Sequence, residues 1–300
     1  MSAKSSTGMR VKLCICCGIE EHPELTEQSP PSPSAMGQMR EELGPLWRIA
    51  WPLLIAQTAQ IGTGVVDTLM AGNYGDTDLA AIAIGFNIWL PLYLIILGTL
   101  FACSAIVAQD FGAGRFERVR SFLPQGLWVA VALSALMTPL CLHSGAIIEL
   151  LELPSDTTAK TAAYVSRVGL GFPALGIFMS LRYHTQGLGV TAPFAIASVV
   201  GFLANVPLNY MLIFGAWGAP ELGAEGCGLA TAASMWLSTL IILLYVLSAD
   251  SLRQYLPERW LQAPDRQRIG EILAVGLPVG FTFFLETGVF SAITLLIATL

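Results

Sequence analysis

The chain has 300 residues, of which 54% are hydrophobic and only 12% charged, with a formal net charge of −6. Soluble domains carry about 25% charged residues, so this balance excludes an ordinary soluble domain and points to an all-α integral membrane protein. The basic residues are spread thinly between apolar runs, which excludes a basic nucleic-acid-binding face, and no nucleic-acid partner is expected.

In chain order, residues 1–44 read as a disordered cytoplasmic tail. It contains the low-complexity stretch "SPPSPS" and the cluster "LCICCG" with Cys14, Cys16 and Cys17. No second pair or His follows that cluster at zinc spacing, so no metal centre is assigned to it. Its apolar stretch is too short for the core of a signal peptide. A working start at Met36 or Met39 is an alternative reading of the tail. Cys103, Cys141 and Cys227 are scattered through apolar segments and read as small core hydrophobes.

A spanning helix needs about 20 mostly apolar residues. Seven segments qualify: residues 46–72, 79–109, 121–148, 161–183, 192–215, 223–247 and 269–300. The expected architecture is a multi-pass helix bundle. Positive charge sets its orientation. Arg115, Arg118 and Arg120 occupy the second loop, and Arg253, Arg259, Arg266 and Arg268 the sixth; only Lys160 and Arg167 fall on the other side. That places the N-terminus in the cytoplasm. The last segment is still apolar at Leu300, which reads as a truncated or partial chain.

Acids inside apolar helices are costly, about 2.5–3.5 kcal/mol on insertion scales, and mark function by default. Asp67 lies in "GTGVVDTLMAG". Gln57, Gln60, Gly64 and Asp67 are spaced by 3, 4 and 3, which puts them on one helix face, bordered by Thr63. The first helix is therefore expected to turn a polar stripe into protein. The fifth contains "FLANVPLNYMLIFG", in which Asn205 and Asn209 share a face and Pro207 frees a carbonyl or kinks the helix. Amide and carbonyl oxygens suit hard cations. Thr231 in "GCGLATA" is a weaker signal. Glu286 has 14 uncharged residues on each side. No Lys or Arg is expected at comparable depth, so two membrane acids on separate helices point to proton or cation handling. The plainer alternative, carboxylates or amides that merely hydrogen-bond helices together, stays open for each. Phe86, Trp89, Phe283 and Phe284 are candidate aromatic surfaces for a cationic cargo or, equally, core or lipid-facing residues. His184, His143 and Arg182 read as membrane-edge residues, and Trp47, Trp51 and Trp217 as interfacial anchors. No phosphate loop or nucleophile triad is present, and no enzyme activity is expected.

"GPLWRIAWPLLIAQTAQ" and "GEILAVGLPVGFTFFLE" align with Pro52 on Pro278 and Gln60 on Glu286. Secondary transporters often contain such internal repeats. With "WPLLIAQTAQIGTGVVDTLMAG", "VAQDFGAGR", "NVPLNYMLIFG", "GAPELGAEGCGLATA" and "GLPVGFTFFLE" in this order, the chain resembles the MATE family (multidrug and toxic compound extrusion), in particular its NorM-type bacterial members. The resemblance runs from about residue 46 to residue 300. It implies two six-helix lobes around a central cleft, of which residues 45–250 would be the N-lobe and residues 251–300 a cytoplasmic linker and the first helix of an incomplete C-lobe. It implies export of cationic, amphipathic drugs in exchange for Na⁺ or H⁺ across a bacterial inner membrane, with no cofactor. It implies cation-coupling roles for Asp67, Asn205, Asn209 and Thr231 in the N-lobe and for Glu286 in the C-lobe, with Gln57, Gln60 and Thr63 as cleft lining. The family's further C-lobe helices have no counterpart in this chain. A monomer is expected. The alternatives are a lipid-linked precursor flippase of the same superfamily, a non-transporting membrane scaffold, or an intramembrane enzyme in which Asp67 and Glu286 meet.

Overall fold

The computed structural model describes residues 33–260 and 262–298, and the described residues form helices with no strand among them. The chain divides into two compact units, residues 1–44 and residues 45–300. In the first, residues 33–44 are helical, where the composition suggested a disordered tail; "MGQMREEL" is rich in good helix formers. Cys14, Cys16 and Cys17 lie outside the described residues.

The second unit is a bundle of long helices. They are α1 (Pro33–Tyr74, here from residue 45), α2 (Asp76–Gly112), α3 (Phe116–Leu142), α4 (Gly145–Glu149), α5 (Ser155–Gly169), α6 (Phe172–Gly187), α7 (Ala192–Phe214), α8 (Ala224–Ser248), α9 (Asp250–Arg253) and α10 (Arg266–Ala298). Six of these are long and apolar enough to cross a membrane, and α5 with α6 makes a seventh if the pair is one span bent by 43°. The expected fourth segment is thus a broken helix. Pro173 explains the break: it offers no N–H, and its ring clashes with the carbonyl four residues back, that of Gly169, where α5 ends. The carbonyls around the break find side-chain donors on neighbouring helices. Ser134 of α3 donates to Phe172 O at 3.0 Å, and on α8 Trp236 donates to Leu170 O at 3.1 Å and Thr239 to Ala174 O at 2.9 Å. A broken span within apolar surroundings needs such satisfaction.

Small residues let backbones meet. A Cβ on Gly226 would collide with the Leu212 carbonyl of α7, and one on Gly98 would stand 2.5 Å from Gly280 Cα of α10. Gly276 meets the Thr99 carbonyl in the same way, so α10 lies directly along α2. The interior is filled by Ile96, Leu100, Phe122, Tyr164, Met179, Leu181 and Ile213, while Leu136, Leu203, Leu244 and Phe290 face outward.

Charges tie the two ends. Asp110, buried at the end of α2, accepts from Arg115 at 2.8 Å and Arg118 at 3.1 Å, and Arg118 reaches Glu271 of α10 at 3.0 Å. At the opposite end Asp78 accepts from Lys160 at 2.9 Å and from the Ala224 N–H that opens α8 at 2.8 Å.

Candidate cation-binding site

The buried face of α1 runs through Ala56, Ala59, Asp67 and Ala71. Thr63 and Gln60 border it half-buried, and Thr63 spends its hydroxyl on the Ala59 carbonyl of its own helix at 3.1 Å. Gln57 is exposed, against the expectation of an inward stripe: it stands about 100° round the helix from buried Ala56.

Asp67 is only 6% exposed. It meets α7 and α8 rather than any other part of α1. Asn209 Nδ2 donates to Asp67 Oδ1 at 2.5 Å and to Asn205 Oδ1 at 2.9 Å, and Thr231 Oγ1 donates to Asp67 Oδ2 at 3.1 Å. Both asparagines are fully buried. The i, i+4 spacing of Asn205 and Asn209 is what lets one amide bridge the other and the acid. Pro207 lies between them without ending α7. Four of the residues expected to handle a cation therefore converge from three helices.

The cluster holds five side-chain oxygens: two of Asp67 and one each of Asn205, Asn209 and Thr231. Asn209 Oδ1 and Asn205 Nδ2 are buried without a hydrogen-bond partner. No Lys or Arg pairs with Asp67 among the described residues. The chemistry of this donor set is that of a hard monovalent cation or a proton.

Two further residues belong here. Cys227 is buried on α8 four residues before Thr231, and Tyr164 is buried on α5, which packs against α8. The Tyr164 hydroxyl accepts from Trp89 Nε1 at 3.3 Å. The residue was missed in the sequence, although it is the one aromatic in the small-residue run "TAAYVSRVG".

Glu286 is not among the groups that contact Asp67; it lies exposed on α10. Trp89 is buried, Phe283 and Phe284 are half-buried, and Phe86 is 38% exposed. Trp47, Trp51 and Trp217 are exposed, as anchors would be. Arg182 and His184, near the end of α6, are buried within the bundle, because α6 is enclosed by α2, α3, α7 and α8. The bundle thus does contain a buried Arg.

The MatE family model matches residues 52–211. The multidrug resistance protein PmpM of Pseudomonas aeruginosa is 40% identical over 275 residues, covering 91% of this chain and 57% of PmpM. The multidrug resistance protein NorM of Aliivibrio fischeri is 38% identical over 266 residues, covering 88% of this chain and 58% of NorM. The chain thus spans little more than half the length of these curated relatives. Among solved structures, the eukaryotic MATE transporter AtDTX14 superposes with a TM-score of 0.75 at 20% identity, covering 86% of this chain and 56% of that one. A multidrug resistance MATE family transporter in an outward-facing conformation gives 0.71 at 20% identity, covering 80% and 52%.

Proposed function

From the premise that the chain belongs to the MATE family, we propose that it works as a cation-coupled antiporter that exports cationic, amphipathic drugs, as the names of its multidrug-resistance relatives suggest. In this reading it is a multi-pass protein of a bacterial inner membrane, with its N-terminus in the cytoplasm, and acts as a monomer. Residues 45–250 are the N-lobe and α10 opens the C-lobe.

The observation that carries the proposal is the Asp67 cluster. A buried carboxylate with only neutral hydrogen-bond partners is stabilised when a positive charge arrives. Na⁺ or H⁺ supplies that charge from the outside. For Na⁺, rotation of the Asn205 and Asn209 amides presents oxygens beside Asp67 and Thr231. The ion binds one conformation of the protein better than the other and shifts the population toward it. Linkage then requires that cargo and ion oppose each other's binding. Glu286 does similar work in the second lobe or meets the positive charge of the drug, and Gln57, Gln60 and Thr63 line the cleft.

The test is efflux of a cationic dye such as ethidium from drug-sensitive cells expressing the protein from its own gene. Wild type and Asp67→Asn are compared at matched membrane levels. The reading predicts dye export by wild type and little or none by the variant. Equal export by both would make Asp67 structural, and export by neither would favour a lipid-linked precursor as cargo.

A further inference from the structure

Arg182 is 8% exposed, and no carboxylate pairs with it among the described residues. Its guanidinium carbon stands over the Phe194 ring, 3.7 Å from the centroid, and 5.1 Å from that of Tyr183. One amino group reaches only the Met179 sulfur at 3.7 Å, and Nε has no partner. Arginine does not deprotonate in proteins, so this is a standing positive charge within the bundle. A ring contact offsets part of its burial cost without neutralising it.

Its place along the fold gives the charge a use. Phe194, Ser198, Gly201, Asn205 and Asn209 recur at spacings of 4, 3, 4 and 4, and all are buried, so they form one face of α7. Asn209 and Asn205 hold Asp67 at one end of that face. Phe194 holds Arg182 at the other, about 16 Å from Asn205 at 1.5 Å per residue. Between them the face carries Ser198 and Gly201. The Ser198 hydroxyl is buried without a partner, and the Ser238 hydroxyl of α8 stands against Gly201. Asn205 Nδ2 is also unpartnered. Buried polar groups in such a row are places where water and cations can be held. The Thr191 hydroxyl, in the α6–α7 loop, bonds the Ile49 carbonyl at 3.2 Å, which places the Arg182 end beside the start of the α1 span.

We propose that Arg182 is the electrostatic plug of a polar thread that runs along α7 from the Asp67 cluster to the α6–α7 loop. It is a specificity residue: it repels a cation or proton that would otherwise pass from Asp67 to the loop side without exchange for cargo. Fixed Arg charges exclude protons and cations from pores by the same field effect. The assignment rests on Asp67 as the coupling site.

The experiment uses the protein in liposomes, with an imposed Na⁺ or H⁺ gradient, no drug present, and an entrapped ion-sensitive dye as readout. Arg182→Gln is expected to raise the drug-free leak about tenfold or more over wild type, and Arg182→Lys to stay near wild type. The double variant Asp67→Asn with Arg182→Gln is expected to fall back to the wild-type rate, because the leaking ion enters through Asp67. Arg182→Met, which exchanges a buried charge for apolar bulk, carries the test if the Gln variant does not fold. A tight Arg182→Gln or Arg182→Met variant overturns the proposal. So does a leak that persists without Asp67, or one equally large with Lys. Failure of the coupling reading itself has a different signature: wild type and Asp67→Asn exporting dye alike.

Discussion

Asp67 and Glu286 occupy similar sequence settings. Each follows a proline in an apolar helix that comes after a basic stretch. Their surroundings nevertheless differ. Asp67 is 6% exposed and held by Asn209 and Thr231, residues 142 and 164 positions away in the chain. Glu286 is exposed among the described residues, on the last helix of a chain that spans little more than half the length of its curated relatives. A membrane acid gains its character from the helices that close on it, and its own helix only brings it to the right depth. The α7–α8 pair closes on Asp67 because Gly226 lets those two backbones touch.

Variants that make Asp67 resemble Glu286 sharpen that contrast. Removing the charge, as in Asp67→Asn, is expected to have the largest effect on efflux. Asn209→Ala follows. It deprives a buried carboxylate of its shortest donor and should cost about 1–3 kcal/mol of stability, with at least a tenfold loss of dye export. Thermal melting of the purified protein and export at matched expression measure the two effects. Thr231→Val removes a single 3.1 Å bond at nearly constant shape. The expected loss is about 1 kcal/mol, or roughly fivefold in export. Glu286→Gln is expected to lower dye export less than Asp67→Asn does, read at matched expression. A Glu286→Gln variant that loses as much export as Asp67→Asn would break the comparison.

Much of the bundle is legible in the sequence, because apolar runs of spanning length leave few alternatives to a membrane helix. Asp67, Asn205 and Asn209 are also legible, since acids and amides in hydrocarbon are rare enough to draw attention one by one, whereas Thr231 joins them only through the family resemblance. What brings them together is less so. The Gly98–Gly280 contact that lays α10 on α2 looks, in sequence, like any other glycine pair. The break at Gly169 to Phe172 hides inside a run apolar enough to read as one helix, and only Pro173 betrays it. Tyr164 gives no signal in the sequence, because a lone aromatic among small residues carries no charge. Arg182 reads in the sequence as lying at the edge of a short loop, and nothing there shows that it is enclosed. Its burial depends on the aromatic rings of Tyr183 and Phe194, one of which comes from the next helix.

The central claim is that a cation at Asp67 and the cargo oppose each other. The direct test is equilibrium binding of ethidium to purified protein, read by fluorescence anisotropy, as Na⁺ is raised at fixed pH and then as pH is lowered at fixed salt. For wild type, one of the two titrations should weaken dye binding, by about fivefold or more for a coupling free energy of 1 kcal/mol or above. In Asp67→Asn the dye should bind with an affinity indifferent to both. Dye affinity that ignores both ions in wild type, or that still responds to them in Asp67→Asn, would contradict the account.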